Sequence, residues 1–246
     1  MKVSFCIPSY NSAAWLSQAV QSCLEQTHKD IEVIVVDDGS TDSTPDYMVW
    51  QIKEDKRVVY LRNEKNLGRS ASRNIGNAKA TGEVIAVLDA DDLALPNRAK
   101  ITSERFGKGC EFLYGSAVRI DPCGRYLNEQ GYICGPNEMV RAEIRADVFN
   151  KEKALERMEN RIVHSTVAYT PSFAKRFPYR DGEANRLGTD DWSQQIEAAI
   201  SGVKLDFVPN VLSAYRILDS GVSQNRKAEE VAAYKKAFLE GLTAKV

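Results

Sequence analysis

Three acidic side chains directly follow an apolar run that has the composition of a β-strand. Residues 83–88 are Glu-Val-Ile-Ala-Val-Leu, and Asp89, Asp91 and Asp92 come next, interrupted by one alanine. Carboxylates grouped in this way repel one another unless a cation shares them, and Mg²⁺ or Mn²⁺ takes hard oxygen ligands of this kind. Such a metal usually completes its shell with water and phosphate oxygens. The pattern therefore predicts a divalent-cation site for a nucleoside diphosphate.

A second acidic pair ends another apolar run. Asp37 and Asp38 follow residues 31–36, Ile-Glu-Val-Ile-Val-Val, in the same half of the chain. An Asp-x-Asp spacing alone is a weak signal, because it arises by chance about once in a chain of this composition. In an open α/β sheet, however, ligands bind just outside the carboxyl ends of the strands. Two acidic strand ends in one half of the chain therefore favour a binding site.

The elements that position these acids alternate between strand and helix patterns. Apolar runs at residues 3–7, 31–36, 57–61 and 83–88 predict strands, and helix patterns follow each of them. We expect Asn11 or Ser12 to cap the first helix and Ser43 to cap the second. Four such alternations in about 90 residues predict an α/β fold, with a mostly parallel, Rossmann-like sheet and helices on both faces.

The second half of the chain has a less regular pattern. Strand pieces are predicted at residues 111–114 and 117–120, a polar irregular region at 121–161, and a β-rich run at 162–169. A helix at 192–201, short strands at 205–208 and 211–215, and a helix at 229–242 complete the prediction. Long irregular regions in compact proteins are commonly functional, so we expect residues 121–161 to shape the binding of a second substrate.

Composition excludes several classes of protein. The chain has 246 residues, is 43% hydrophobic and 27% charged, and carries a formal net charge of −1, so it has no overall field that would attract nucleic acid. No apolar stretch approaches the roughly 20 residues of a membrane span, and no signal-peptide pattern is visible. The five cysteines form no C-x-x-C pair, and Cys6, in an apolar strand run, and Cys23, on a helical apolar stripe, are expected to be small buried residues. The sequence predicts a cytoplasmic protein, with contact to the inner membrane face or to a second copy left open.

Four motifs, in order, resemble those of family-2 glycosyltransferases of the GT-A fold. They are Val-Ser-Phe-Cys-Ile-Pro-Ser-Tyr-Asn at residues 3–11, Val-Val-Asp-Asp-Gly-Ser-Thr-Asp at 35–42, Asn-Leu-Gly through Ala-Ser-Arg-Asn-Ile-Gly at 66–76, and Leu-Asp-Ala-Asp-Asp at 88–92. Several spaced motifs in order are a specific signal. The resemblance implies one continuous domain, with a nucleotide-sugar-binding half at residues 1–120 and an acceptor-binding half that carries the catalytic base at 121–246.

The resemblance implies a role for each motif in binding the donor. Asp38 would accept the N3–H of uracil, Asp89 would lie near the ribose, and Asp91 would bind the Mn²⁺ or Mg²⁺ ion. The remaining donor-binding residues would flank or cover the nucleotide, with the Tyr10 ring stacking on the base; they are Pro8, Tyr10, Asn11, Asn66 and Arg73.

Other interpretations of these residues remain open at the level of sequence. Asp38 could be a turn residue before a glycine, and Tyr10 a packing residue at the entry to a helix. Arg73 could be an exposed helix arginine rather than a contact to the base or a phosphate. Asp92 could support a neighbouring carboxylate or cap the next helix.

The resemblance also implies a general base at Asp191. Asp190 and Asp191 precede a helix pattern, and transfer with inversion needs a carboxylate opposite the leaving group to accept the proton of the acceptor hydroxyl. The alternative is a plain helix N-terminus, where aspartate is common. The next residue, Trp192, could offer a face to a sugar ring or lie in the core.

One departure from the family pattern concerns a histidine. Family members often have a histidine shortly after a Tyr-Arg pair, and Tyr215-Arg216 is followed by none. Arg216, Ser223 or Arg226 could contact the diphosphate instead. His164 lies where the acceptor wall of the family begins, and is expected to be a structural histidine.

These observations predict a metal-dependent, inverting glycosyltransferase. The donor would be a nucleotide sugar, most simply a UDP-sugar, and the acceptor a hydroxyl of a glycan or glycolipid. The alternative is a non-catalytic nucleotide-sugar-binding or assembly subunit of a glycan-synthesis complex. A nucleotidyltransferase is disfavoured, because it would usually carry a glycine-rich basic loop where this chain has Pro-Ser-Tyr-Asn at residues 8–11.

Overall fold

A computed structural model describes residues 1–128, 130–134, 143–144, 162–219 and 227–243 of the chain. The first half alternates strands and helices: β1 (Val3–Ser9), α1 (Ala13–Leu24), β2 (Ile31–Asp37), α2 (Thr44–Glu54), β3 (Val58–Arg62), α3 (Arg69–Lys79) and β4 (Val84–Val87). Next come β5 (Leu93–Ala94), α4 (Arg98–Phe106), β6 (Phe112–Ile120), β7 (Tyr126–Leu127) and β8 (Glu143–Ile144). A 3₁₀ turn (His164–Thr166) leads to β9 (Ala168–Tyr169), α5 (Pro171–Arg176), α6 (Glu183–Leu187), α7 (Asp190–Ile200), β10 (Leu205–Arg216) and α8 (Ala228–Thr243).

The described strands form one mixed sheet in the order β3-β2-β1-β4-β9-β6-β10-β5, with β7 and β8 paired to β6. Strands β3, β2, β1 and β4 are parallel, as predicted from the alternating pattern. The short strand β9 is antiparallel to both β4 and β6, and it joins the parallel first half to the β6–β10 pair. The α/β prediction is therefore confirmed, with the two halves of the chain sharing one sheet.

Register brings the predicted site residues to one edge of this sheet. Ser9 pairs with Asp37 at the ends of β1 and β2, and Cys6 pairs with Val87 at the end of β4. Asp89, two residues past β4, therefore emerges beside the end of β1. Since the three strands are parallel, their acidic ends share the edge where α/β proteins bind ligands.

The core lies on both faces of the sheet, which explains why the central strands are apolar throughout. Phe5 and Ile7 of β1 pack into one cluster with Leu16 of α1, whereas Cys6 between them packs into a second cluster with Phe173 of α5. This alternation is the period of two expected for a strand covered on both sides. Cys6 and Cys23 are buried free thiols, as the sequence predicts, and burial raises the pKa of each to about 12.

The capping prediction is confirmed for the positions of Ser12 and Ser43, which are the N-cap residues of α1 and α2, but not for a capping hydrogen bond. Ser12 and Ser43 precede α1 and α2, but neither side chain accepts a cap hydrogen bond. Asp42 does so for both helices, because its Oδ2 accepts from the Ala13 amide at 3.0 Å and its Oδ1 from the Thr44 amide at 3.0 Å. A single carboxylate therefore ties together the starts of α1 and α2, an arrangement that local sequence patterns do not reveal.

Other differences concern the second half of the chain. The strand pieces at 111–114 and 117–120 are one strand, β6, and those at 205–208 and 211–215 are one strand, β10, with register shifts after Val208 and Val211. Only Ala168–Tyr169 of the β-rich run at 162–169 is a strand. The helix predicted at 192–201 begins two residues earlier, at Asp190, and the short helices α5 and α6 were missed. The irregular region at 121–161 lies largely outside the described residues.

Over the described part of the chain, no helix is both long and apolar enough to cross a membrane.

Candidate functional site

A cleft of about 730 Å³ opens at the carboxyl ends of β1, β2 and β4. Every residue that the sequence predicts to bind donor or metal or to act as the base lines this cleft: Pro8, Tyr10, Asn11, Asp38, Asn66, Arg73, Asp89, Asp91 and Asp191. The cleft therefore draws its walls from four sequence motifs and from the start of α7, which is distant from them in the chain.

The turn between β1 and α1 forms one wall. Tyr10 is 47% exposed, so its ring is available at the mouth of the cleft and is not packed in the core. Asn11 adopts a positive φ of 49°, a conformation that asparagine tolerates better than most residues. Its amide donates to Ser40 Oγ at 2.9 Å and its Oδ1 accepts from the Thr41 amide at 2.8 Å. These bonds fix the turn against the loop that follows β2.

The two aspartates at the end of β2 have different partners. Asp37 is fully buried and accepts hydrogen bonds from the Ser40 amide and the Tyr60 hydroxyl, so it stabilises the turn. Asp38 accepts the amides of Leu67 and Gly68 at 2.9 and 2.7 Å. Asp38 thus holds the Asn66–Gly68 segment over the cleft, in addition to lining it.

Arg73 of α3 is a buried bridge between carboxylates. Its Nη1 donates to Asp190 Oδ2 at 2.5 Å and its Nη2 donates to Asp89 Oδ1 at 2.7 Å. The guanidinium also lies 5.3 Å from the centre of the Tyr179 ring. Arg73 is only 6% exposed, which excludes the alternative of an exposed helix arginine. The prediction that Arg73 contacts the base or a phosphate remains untested, and both of its terminal nitrogens already donate to protein.

The three aspartates of the acidic cluster after β4 differ in the direction of their pKa shifts. Burial by itself would raise the pKa of Asp89, but Arg73 holds it below its usual value. Burial and the charge of Asp89 raise the pKa of Asp91 to about 6. Burial and both neighbouring acids raise the pKa of Asp92 well above normal. Asp92 accepts from Ser165 Oγ and from the Arg216 amide, so it supports the loop that carries Asp91 and does not cap α4.

The donor set fits a divalent cation shared with a phosphate. Asp91 lines the cleft with its carboxylate partly desolvated beside the Asp89 charge, and a cation would relieve that repulsion. Within the described ranges, no three His, Cys, Asp or Glu side chains converge to enclose a metal by themselves. A site of one or two carboxylates suits Mg²⁺ or Mn²⁺, which keep open positions for water and phosphate oxygens.

Asp190 and Asp191 occupy the first turn of α7 but face different partners. Asp190 is 1% exposed and receives hydrogen bonds from Arg73 and from Arg69 Nε at 3.1 Å. Burial opposes ionisation of Asp190, yet the two arginines lower its pKa below the usual value. Asp191 is less buried, lines the cleft, and accepts its next-neighbour amide, that of Trp192, at 2.8 Å. Asp191 is therefore the member of the pair that is placed to meet a ligand.

Trp192 is a core residue, which contradicts the alternative of a sugar-stacking face. Its side chain is 2% exposed and lies 5.8 Å from Phe238 of α8, measured between ring centres. A different tryptophan, Trp15 of α1, is partly exposed and lines the cleft. Trp15 carries no distinctive signal in the sequence, because it falls within an ordinary amphipathic helix pattern.

His164 lines the cleft at the 3₁₀ turn and is 9% exposed. Its Nε2 lies 3.0 Å from the Tyr179 hydroxyl, which fits the predicted structural role, while Nδ1 has no hydrogen-bond partner among the described residues. Burial and the nearby Arg73 lower its pKa, so the ring is neutral near pH 7.

Arg216, proposed from sequence as a diphosphate contact, donates hydrogen bonds to backbone carbonyls of two separate loops. Its Nε donates to the Asp91 carbonyl at 2.6 Å, and its Nη1 donates to the Pro122 carbonyl at 2.8 Å. The other two candidates for that role, Ser223 and Arg226, lie outside the described residues.

Asn185, from the second half of the chain, also lines the cleft and had no local signal in the sequence. Asn185 of α6 packs on the Asn66–Gly68 segment, and its Oδ1 accepts from the Ser70 amide at 3.3 Å. Arg69 donates to the Asn185 carbonyl as well as to Asp190. The pairing of α3 with α6 and α7 arises from contacts more than 100 residues apart, which periodicity and motif spacing do not encode.

Chemically, the arrangement joins three functions in one space. An exposed aromatic ring and hydrogen-bonding side chains can hold a base and a sugar, and a carboxylate pair can share a cation with phosphate oxygens. A carboxylate at a helix start, in the same cleft, can accept a proton.

Comparison with known proteins gives consistent results. A family model described as Glycosyl transferase family 2 matches residues 4–154. An uncharacterized glycosyltransferase of Methanocaldococcus jannaschii is 28% identical over 238 residues, covering 94% of this chain and 77% of that protein. The succinoglycan biosynthesis protein ExoO of Rhizobium meliloti is 28% identical over 254 residues, covering 99% and 71%. An uncharacterized glycosyltransferase of Rickettsia bellii is 41% identical over 128 residues, but the match spans only 51% of this chain and 18% of that protein.

Solved structures share the fold. TarS of S. aureus, in complex with UDP-GlcNAc, has a TM-score of 0.68 at 16% identity, covering 97% of this chain and 66% of that chain. The mannosyltransferase PcManGT of Pyrobaculum calidifontis, in complex with GDP-Man and Mn²⁺, has a TM-score of 0.64 at 19% identity, covering 89% and 58%.

Proposed function

Because this chain belongs to glycosyl transferase family 2 and has the GT-A fold, we propose that its cleft transfers a sugar from a nucleotide sugar, most simply a UDP-sugar, to a hydroxyl of a glycan or glycolipid acceptor. The observation that carries the proposal is the convergence of the nine predicted residues on one cleft. The resemblance of the four motifs to this family is confirmed by the family match.

The donor would lie along the β-strand ends. Tyr10 would stack on the base, Asp38 would accept the N3–H of uracil, and Asp89 would accept a ribose hydroxyl. Asp38 accepts three hydrogen bonds in the protein, and a carboxylate has about four lone-pair sites, so it retains capacity for one more. The choice of uracil rests on the family resemblance, while the mannosyltransferase neighbour binds a guanine nucleotide.

Asp91, with Asp89 beside it, would hold a divalent cation on the diphosphate. When bound, that cation neutralises charge on the leaving nucleoside diphosphate. The protein side of the site supplies carboxylate oxygens and a loop that Arg216 and Asp92 hold in place.

The acceptor would approach from the side of α7. Asp191 would accept the proton of the attacking hydroxyl as that oxygen forms a bond to the anomeric carbon, and the bond from this carbon to the β-phosphate oxygen would break. Displacement from the opposite face inverts the anomeric configuration. A positioned base of this kind contributes about 10²–10⁴ in rate.

Substitution of the base distinguishes a transferase from a non-catalytic binding subunit. We predict that Asp191→Asn lowers the rate of UDP release from the UDP-sugar by about 10²-fold or more, because the amide cannot accept the proton of the attacking hydroxyl. Calorimetry should show UDP affinity within about twofold of the unmodified protein, since Asp191 is not part of the donor wall.

The matched control is Asp181→Asn, which changes an exposed aspartate outside the cleft. Equal and measurable rates for Asp191→Asn and the control would reject Asp191 as the base. Absence of UDP release in the unmodified protein, with UDP still bound, would favour the non-catalytic assembly subunit.

A further inference from the structure

We infer that Arg73 is a positioning residue: from the donor side of the cleft, it fixes the position of the proposed general base, Asp191. The inference rests on the proposed transferase function and assigns to Arg73 a role other than direct contact with the nucleotide. Its basis is the bridge that the Arg73 guanidinium forms between Asp89 and Asp190.

The bridge joins two segments that are far apart in the chain. Asp89 follows β4 in the donor wall, whereas Asp190 opens α7 about a hundred residues later. Arg73 reaches both from α3, using a different terminal nitrogen for each carboxylate. The planar guanidinium can hold two carboxylates at a fixed angle, which the single ammonium of a lysine cannot do.

The geometry leaves the Arg73 side chain little freedom. Its side chain is 7% exposed, and the guanidinium packs at 5.3 Å over the Tyr179 ring. Tyr179 is in turn tied to α3, because its amide donates to Asn74 Oδ1 at 2.9 Å and Asn74 Nδ2 donates to its carbonyl at 2.9 Å. A guanidinium held on one face by this ring and at its ends by two carboxylates is a rigid spacer.

What the spacer positions is the first turn of α7. Asp190 is followed immediately by Asp191, so fixing the Asp190 carboxylate fixes the direction in which the Asp191 side chain leaves the helix. Arg69 adds a second bond to Asp190 at 3.1 Å. Arg69 and Arg73 both follow the Asn66–Gly68 segment, which Asp38 holds through hydrogen bonds. Contacts therefore run from Asp38, which is predicted to bind the nucleobase, to the start of α7.

Direct binding and positioning by Arg73 predict different results. A direct phosphate contact would be a charge-assisted hydrogen bond, and its loss would weaken UDP binding by about tenfold or more. Under the positioning role, UDP affinity stays within about twofold while turnover falls by about a hundredfold, since small misplacement of a reacting group has effects of that size.

The test uses Arg73→Lys and Asp190→Asn, each assayed for UDP affinity by calorimetry and for UDP release from the UDP-sugar. Asp190→Asn keeps the shape of the side chain and leaves the Arg73–Asp89 pair in place, so it remains informative if Arg73→Lys folds poorly. The matched control is Arg180→Gln, which breaks the 2.7 Å ion pair from Arg180 to Glu197 elsewhere on α7.

We expect both test variants to keep UDP affinity and lose turnover, Arg180→Gln to keep both, and the Arg73→Lys/Asp190→Asn double variant to be no slower than the slower single variant. Loss of UDP affinity in Arg73→Lys with normal turnover in Asp190→Asn would overturn the inference, and so would single-variant effects that multiply in the double variant. Failure of the proposed function would appear separately, as absence of UDP binding by the unmodified protein.

Discussion

At the scale of single residues, the cleft separates carboxylates by what surrounds them. Asp89 and Asp190 share Arg73 and remain ionised, whereas Asp91 has a carboxylate that burial and Asp89 drive toward protonation. Divergent environments for neighbouring acids are typical of functional sites. Of Asp89 and Asp91, the members of this cluster that line the cleft, only Asp91 has a raised pKa, so a cation there would favour its ionised form.

The raised pKa of Asp91 predicts pH dependence. The pKa of Asp91 is about 6 in the folded protein and about 3.9 in an unfolded chain. Folding stability therefore falls as the pH rises from about 4 to about 6, and the full cost remains at higher pH. Metal binding requires the ionised form, so affinity for Mn²⁺ in the presence of UDP should fall as the pH drops through about 6. Calorimetry from pH 5 to 8 measures this dependence.

Asp91→Asn should show no Mn²⁺-dependent gain in UDP affinity at any pH from 5 to 8, because the amide carries no charge to share with the cation and does not titrate. A flat affinity between pH 5 and 8 in the unmodified protein would contradict the assignment of Asp91 as a metal ligand with a raised pKa.

At the scale of elements, the Asn66–Gly68 segment connects the donor motifs to the second half of the chain. Gly68 has a φ of +94°, and a Cβ at this position would lie 2.2 Å from Asn185 Nδ2 of α6. The backbone conformation therefore requires the glycine, and a Cβ there would also displace the Asn185 side-chain amide, whose Oδ1 accepts from the Ser70 amide.

Gly68→Ala should destabilise the protein more than Gly109→Ala. Gly109 also has a positive φ, of +88°, but no other atom of the described residues lies within 4 Å of the position that a Cβ would take there. Both substitutions carry a backbone cost of about 1–2 kcal/mol, and Gly68→Ala adds about 1 kcal/mol for displacing the Asn185 amide and its hydrogen bond to the Ser70 amide. Urea denaturation measures the difference, and equal losses of unfolding free energy would show that α6 does not pack on Gly68 as described.

The first half of the fold was predictable from sequence because each element there has a local signal. The apolar runs of β1, β2 and β4 and the helix patterns between them dictate the parallel sheet, and the acidic strand ends mark its binding edge. The second half was predicted less well. β9 has only two residues, α5 and α6 are short, and the roles of Arg69, Asn185 and Asp190 depend on contacts between distant segments.

At the scale of the whole molecule, one sheet carries both halves of the cleft. β9 bonds to β4 on one side and to β6 on the other, so the donor edge and the β6–β10 pair form a continuous support. α8 packs on α7 through Phe238 and Trp192, behind the turn that carries Asp191. The molecule therefore holds the predicted base from the core side while leaving its carboxylate facing the cleft.

The central claim is that this cleft binds a nucleoside diphosphate through a cation on Asp91. Calorimetric titration of UDP, with GDP and dTDP for comparison and with and without Mn²⁺, tests it most directly. We predict that UDP binds, that Mn²⁺ strengthens binding, and that Asp91→Asn removes the metal effect while Asp30→Asn, at an exposed position outside the cleft, retains it. The proposed donor site would be contradicted if none of the three nucleotides bound to the folded protein. It would also be contradicted if the metal effect were unchanged in Asp91→Asn.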